Sequence, residues 1–254
     1  MTPLSRQARA ERLGPYFEAQ LRLARRLAEL TGARLSETAF RVTNFHRRLG
    51  MGVPGETPSA AWRDYAARLE TTAGLAAQVT LTQETFLTAS EEFLPPPGQT
   101  AFGCFAHSPL GEDGMIRIHF YNLDTDEAGG PLAAGKVARR KAELATMVAH
   151  IRAAHPQALG IRGTSWLYNL EAYRRLFPPA YGASRKATDG PLGLQGSSSW
   201  GQLIDSREAI RPRVRDAFST NLGTLDPRAP WRVFPLPALT AEAPIAAFAT
   251  FYAV

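Results

Sequence analysis

The chain has 254 residues, a formal net charge of +6 and 44% apolar residues, a composition that excludes a disordered chain. Its one cysteine, Cys104, excludes an internal disulfide and a cysteine-built metal cage. No apolar run approaches the ~20 residues of a membrane span, and MTPLSRQARAERLG lacks the apolar core of a secretory signal, so a cytoplasmic protein with no membrane partner is expected.

Of the 29 basic residues only Lys136, Lys141 and Lys186 are lysine. Arginine suits bidentate contact with carboxylate or phosphate, although a genome-wide arginine bias accounts for the same count. The apolar residues Phe17, Leu21, Ala24, Leu27, Ala28 and Leu30 predict a helix over 15–31, with Gly32 as its C-cap. A second helix is expected over 37–49. A third starts at Ser59 or Thr57 and runs through Trp62, Tyr65 and Leu69, and a fourth, short one covers 83–93 before the prolines at Pro95. Residues 1–95 are therefore expected to form an N-terminal helical segment, and 96–254 a sheet domain.

After the prolines the period changes. AFGCFAHSPL, GEDG and MIRIHFYNLD predict two strands joined by a tight turn. In the second strand Ile116, Ile118 and Phe120 share one face; Met115, Arg117, His119 and Tyr121 share the other. The loop DTDEAGGPLAAGK leads to a helix over 137–154 that ends at His155-Pro156. A strand over 158–162, a polar elbow at Thr164-Ser165 and an aromatic, basic helix to Phe177 follow. LQGSSSWGQLID suggests a strand, a helix starts regularly at Pro212, and strands are expected over 231–234 and 247–254. Two antiparallel strands running into a βαβ unit predict an α/β fold, a mixed sheet flanked by helices.

This order resembles the core of the GNAT acyltransferase superfamily. The hairpin strand IRIHFYNLD precedes a loop and long helix. LAAGKVA stands where that family has its pyrophosphate loop, a strand follows the helix, and Asn169-x-x-Ala172 opens the next segment. Leu132 and Val137 depart from the family's loop pattern, and no tyrosine matches its position near the end of the next helix. The resemblance covers 102–205 and implies acyl transfer from a coenzyme A thioester to an amine. It makes His119 the base and Tyr173 the acid at the leaving thiolate. It places the pyrophosphate on Gly135, Lys136, Val137, Arg139 and Arg140, where a helix N-terminus offers unpaired amides.

Other chemistries compete. Ser165 lies at a strand-to-helix elbow, the place of a hydrolase nucleophile, but Gly163-Thr164-Ser165-Trp166-Leu167 lacks the second glycine of that motif; a helix cap is the plainer role. Arg162, Tyr168 and Asn169, with Trp200 from a neighbouring strand, are candidate contacts to a small, anionic substrate, alongside Arg174 and Arg175. The histidines show no metal-ligand spacing, so no metal is expected. The arginines of the first helices leave open a non-catalytic protein that binds nucleic acid or an acidic partner. Aromatic residues are not interleaved with them as a single-strand surface needs, and nucleic acid is not favoured.

Overall fold

The structure, a computed structural model, describes residues 4–52, 57–89, 98–188, 190 and 194–254. The fold is α/β, and contacts group the chain into two compact units. Residues 189–237 fall with the N-terminal helical residues and 238–254 with the sheet, whereas the expected division placed all of 96–254 in one sheet domain.

The helical unit opens with α1 (Arg6–Thr31), which starts well before Pro15 because the Ser5 hydroxyl caps it, accepting from the Ala8 amide at 3.2 Å. Pro15 lies inside this helix, and nearby the Gln83 side-chain amide donates to the Ala10 carbonyl at 2.9 Å. Gly32 closes it at φ +68, a backbone angle glycine takes without steric cost. The single helix expected over 37–49 is two, α2 (Leu35–Val42) and α3 (Phe45–Arg48). Thr43 is extended between them, and the Asn44 amide donates to Gln20 Oε1 at 2.8 Å instead of to a helical carbonyl. Then come α4 (Ala60–Thr71), capped by Ser59 as expected, and α5 (Leu75–Thr88), which replaces the short helix over 83–93. Phe93 and Pro95 lie outside the described residues.

The sheet unit begins with β1 (Thr100–Phe102), β2 (Phe105–Leu110) and β3 (Met115–Phe120). The one strand expected over AFGCFAHSPL is folded back at Gly103, whose φ is +59. α6 (Val137–Ala154) has the bounds its sequence predicts. β4 (Gly160–Ser165) follows, then two short pieces where one helix to Phe177 was expected, a 3-10 turn over Trp166–Asn169 and α7 (Glu171–Arg174), and after them α8 (Pro179–Ala183). After β5 (Lys186–Ala187) the chain re-enters the helical unit as α9 (Ser197–Trp200) and α10 (Pro212–Leu222). The strands expected over LQGSSSWGQLID and 231–234 are helical turns instead. Trp200 Nε1 donates to the Val42 and Leu194 carbonyls, and its ring packs on Phe218 and Phe234, which draws that segment into a core. The chain ends with β6 (Leu239–Pro244) and α11 (Ile245–Tyr252), the latter over residues expected as a strand.

The strand order is β1-β2-β3-β4-β6-β5. Every pairing is antiparallel except β3 with β4. That parallel pair is joined through α6, as a crossover requires. Phe105, Ile116, Ile118, Ile161, Ala241 and Ala243 cluster with Leu144, Met147, Val148 and Ile151 of α6 and with Phe248 of α11, forming the core of this unit.

Candidate functional site

The parallel strands part. Their register runs only from Met115–Gly160 to Arg117–Arg162, although both strands continue for three residues. Beyond Arg117 and Arg162, therefore, Ile118–Phe120 and Gly163–Ser165 diverge at the carboxyl ends of two parallel strands. This is where open α/β sheets bind their ligands.

Alternation sorts the side chains around the opening. Ile118 and Phe120 take the core face, and Arg117 and His119 the polar face. On the polar face Arg162 is held between β6 and the turn before β3, with Nε on Glu242 at 2.8 Å and Nη1 on Asp113 at 2.6 Å. The Glu242 and Asp113 carboxylates push its pKa up further. Thr164, Thr240 and Thr188 form a chain of hydroxyls at 2.9 and 2.7 Å. His119 Nε2 lies 2.7 Å from the Ser108 hydroxyl, and both residues are half-buried.

The start of α6 turns Lys136 and Arg140 inward. Lys136 is buried; its ammonium contacts Asp124 at 3.1 Å and Asp126 at 3.0 Å and donates to the Gly129 carbonyl. Arg140, 1% exposed, is held by Asp124 at 2.8 Å, Glu143 at 2.7 Å and the Cys104 sulfur. Arg139, largely exposed, also reaches Asp124 at 3.0 Å. Burial alone would raise the Asp124 pKa, but the hydrogen bonds from Lys136 and Arg139 outweigh it and hold the carboxyl below its ordinary range. Val137 packs toward the core, while a Cβ at Gly135 would touch nothing within 4 Å. Asp124 thus pairs with the cations to which the resemblance assigns a pyrophosphate.

The elbow is closed on the core side. Ser165 caps the turn, its hydroxyl accepting from the Leu167 amide at 3.1 Å, which is the plainer of the two roles expected for it. Tyr168 and Tyr181 join hydroxyls at 2.5 Å, and Tyr173 packs against Tyr168 and Phe120. Burial drives the pKa of all three tyrosines well above 10. Tyr173, 2% exposed, is therefore held as a neutral core phenol rather than set at a reacting thiolate. Asn169 donates to the Trp166 carbonyl at 2.7 Å. Trp200, expected beside Arg162, is fully buried in the helical unit.

A basic cleft of which sequence reading named only Arg174 and Arg175 lies among α6, α7, α8 and α11 of the sheet unit. Lys141, Arg174, Arg175 and Arg185 line a depression of about 470 Å³ with Glu171, and Phe177, Pro178 and Phe251 give it apolar walls. Arg175 Nη2 donates to the Leu132 carbonyl at 3.3 Å, linking the cleft to the loop before α6. The signal was available in RRLFPP and GASRK, but four cations spread over residues 141 to 185 share a rim only once α6, α7 and α8 are packed. In the helical unit, by contrast, Arg22, Arg26 and Arg48 pair with Glu18, Glu29 and Glu208.

No family model, curated protein or solved structure matches the chain. Among the described residues no group of three His, Cys, Asp or Glu is placed to hold a metal, and no helix is long and apolar enough to cross a membrane.

Proposed function

We propose that the sheet unit is a transferase that moves an acyl group from a coenzyme A thioester to the amine of a small, anionic metabolite. The observation that carries this reading is the parting of β3 and β4 beyond Arg117 and Arg162, directly before and after the long helix α6. A ligand lying in that opening has strand backbone on both sides and His119 on the polar face. His119 is the base that takes the amine proton, and Arg117 biases the face toward an anionic acceptor.

Coenzyme A, when bound, supplies the activated thioester. Lys136 and Arg140 do not fit its phosphates, because Asp124, Asp126 and Glu143 already neutralise them. The cleft does fit: Lys141, Arg175 and Arg185 offer charge to phosphates, Arg174 stands at the rim paired with Glu171 at 2.7 Å, and Phe177 and Phe251 offer apolar surface to an adenine ring. A ligand that binds only the folded state raises the melting temperature. Coenzyme A and acetyl-coenzyme A in millimolar excess are expected to raise it for the wild-type protein and less for Arg174→Ala/Arg175→Ala. An unchanged melting temperature for the wild-type protein with both ligands ends this proposal.

A further inference from the structure

Ser108 and His119 stand out from the other polar residues of the sheet because they meet beside a break in the strand register. β2 pairs His107 with Ile118 and then Leu110 with Ile116, so Ser108 and Pro109 together oppose the single residue Arg117. This is a β-bulge, which re-aims side chains and tolerates the missing amide of proline. His107 Nδ1 bonds the Ser108 carbonyl at 2.8 Å and fixes the backbone there. The Ser108 hydroxyl then meets His119 Nε2 at 2.7 Å, within the reach that defines a nucleophile and its base. Both residues are half-buried, so the pair is sheltered yet reachable.

We infer that Ser108 is an acyl-accepting nucleophile activated by His119, so that acyl transfer passes through an acyl-serine. Ser108 Oγ forms a bond to the carbonyl carbon of an activated ester or thioester as its proton passes to His119 Nε2. The carbon–heteroatom bond of the donor then breaks, and the imidazolium returns the proton to the departing alkoxide or thiolate. Water or an amine, deprotonated by the same imidazole, releases the acyl group and restores the serine. The inference goes beyond the coenzyme A reading and does not require that donor, since any activated acyl compound tests it. The sequence pointed to Ser165 for this chemistry, but that hydroxyl caps a turn by accepting from the Leu167 amide, and it is Ser108 that meets a histidine.

The experiment uses p-nitrophenyl acetate and the full-length protein. A burst of p-nitrophenolate and an acetyl group on the Ser108 peptide, located by mass spectrometry, are expected. Ser108→Ala abolishes both, and Ser165→Ala keeps both. His119→Gln keeps a hydrogen-bonding side chain beside Ser108, yet slows the burst roughly a hundredfold or more. Added imidazole partly restores the burst in His119→Ala, which a merely structural histidine does not allow. No burst in a wild-type protein that melts cooperatively, or a burst that survives Ser108→Ala, overturns the inference. The coenzyme A reading is judged separately by its melting test.

Discussion

Gly163 shows how much one missing side chain decides at the opening between β3 and β4. A Cβ there would lie 2.1 Å from the Tyr168 hydroxyl oxygen and 2.6 Å from that of Tyr181. Both rings are buried, so neither hydroxyl can swing away. Gly163→Ala is expected to cost on the order of 1–3 kcal/mol in urea unfolding, the usual cost of overpacking a filled interior. Adding Tyr168→Phe removes the nearest oxygen and should recover part of that loss; a double variant no more stable than Gly163→Ala refutes the contact. Arg140 makes the complementary point. Its charge was visible in the sequence and suggested a phosphate, but Asp124 and Glu143 come from a loop and from the same helix to neutralise it. A residue type announces what a side chain is able to bind; only its neighbours settle what it does bind.

Elements were legible where the signal was local. Ser59, Gly32 and Pro212 mark helix ends because capping and proline geometry act within one turn. The break between α2 and α3 was not legible, because Asn44 leaves the helix for Gln20 of α1. That break places His46 beside Phe40 of α2 and Trp62 of α4, with ring centroids at 5.2 and 6.0 Å. Burial, helped by the Arg47 charge, pulls the His46 pKa down to about 4. The unfolded chain takes the proton near pH 6.5, so between about pH 6.5 and 4 the unfolded state binds more protons and stability falls as pH drops. Unfolding at pH 5 is expected to need roughly 2 kcal/mol less than at pH 7.5 from this group alone. His107 of β2 shifts the same way through burial and adds to the loss. His46→Leu should lose less over this window; an equal loss refutes the role of His46.

At the scale of the whole molecule, the last residues complete a sheet that the chain began far upstream. β6 lies between β4 and β5 and pairs with both, so β5 has no other partner in the described sheet. Ala241 and Ala243 of β6 and Phe248 of α11 sit in the core with Ile161 and Tyr181. A chain ending at Pro237 is therefore expected to lose the fold of its sheet unit. Hydrogen exchange should show protection lost in β4 and α6 but retained in α1, whose contacts lie in the other unit. Protection surviving in β4 contradicts this dependence on β6.

By itself the sequence determined the α/β class, the helical opening segment, the hairpin of β2 and β3, the bounds of α6 and the split of Arg117 and His119 from Ile116 and Ile118. All of these follow from periodicity, capping and proline or glycine geometry, which act over a few residues. Tertiary structure alone decided that 189–237 packs with the helical unit, that β3 and β4 part after three pairs, that Lys136 and Arg140 are neutralised from within, that distant cations share one cleft, and that Ser108 rather than Ser165 faces His119. The reason is physical: strand register, ion pairing and side-chain packing are set by partners far away in the chain, and no local pattern encodes which partner wins.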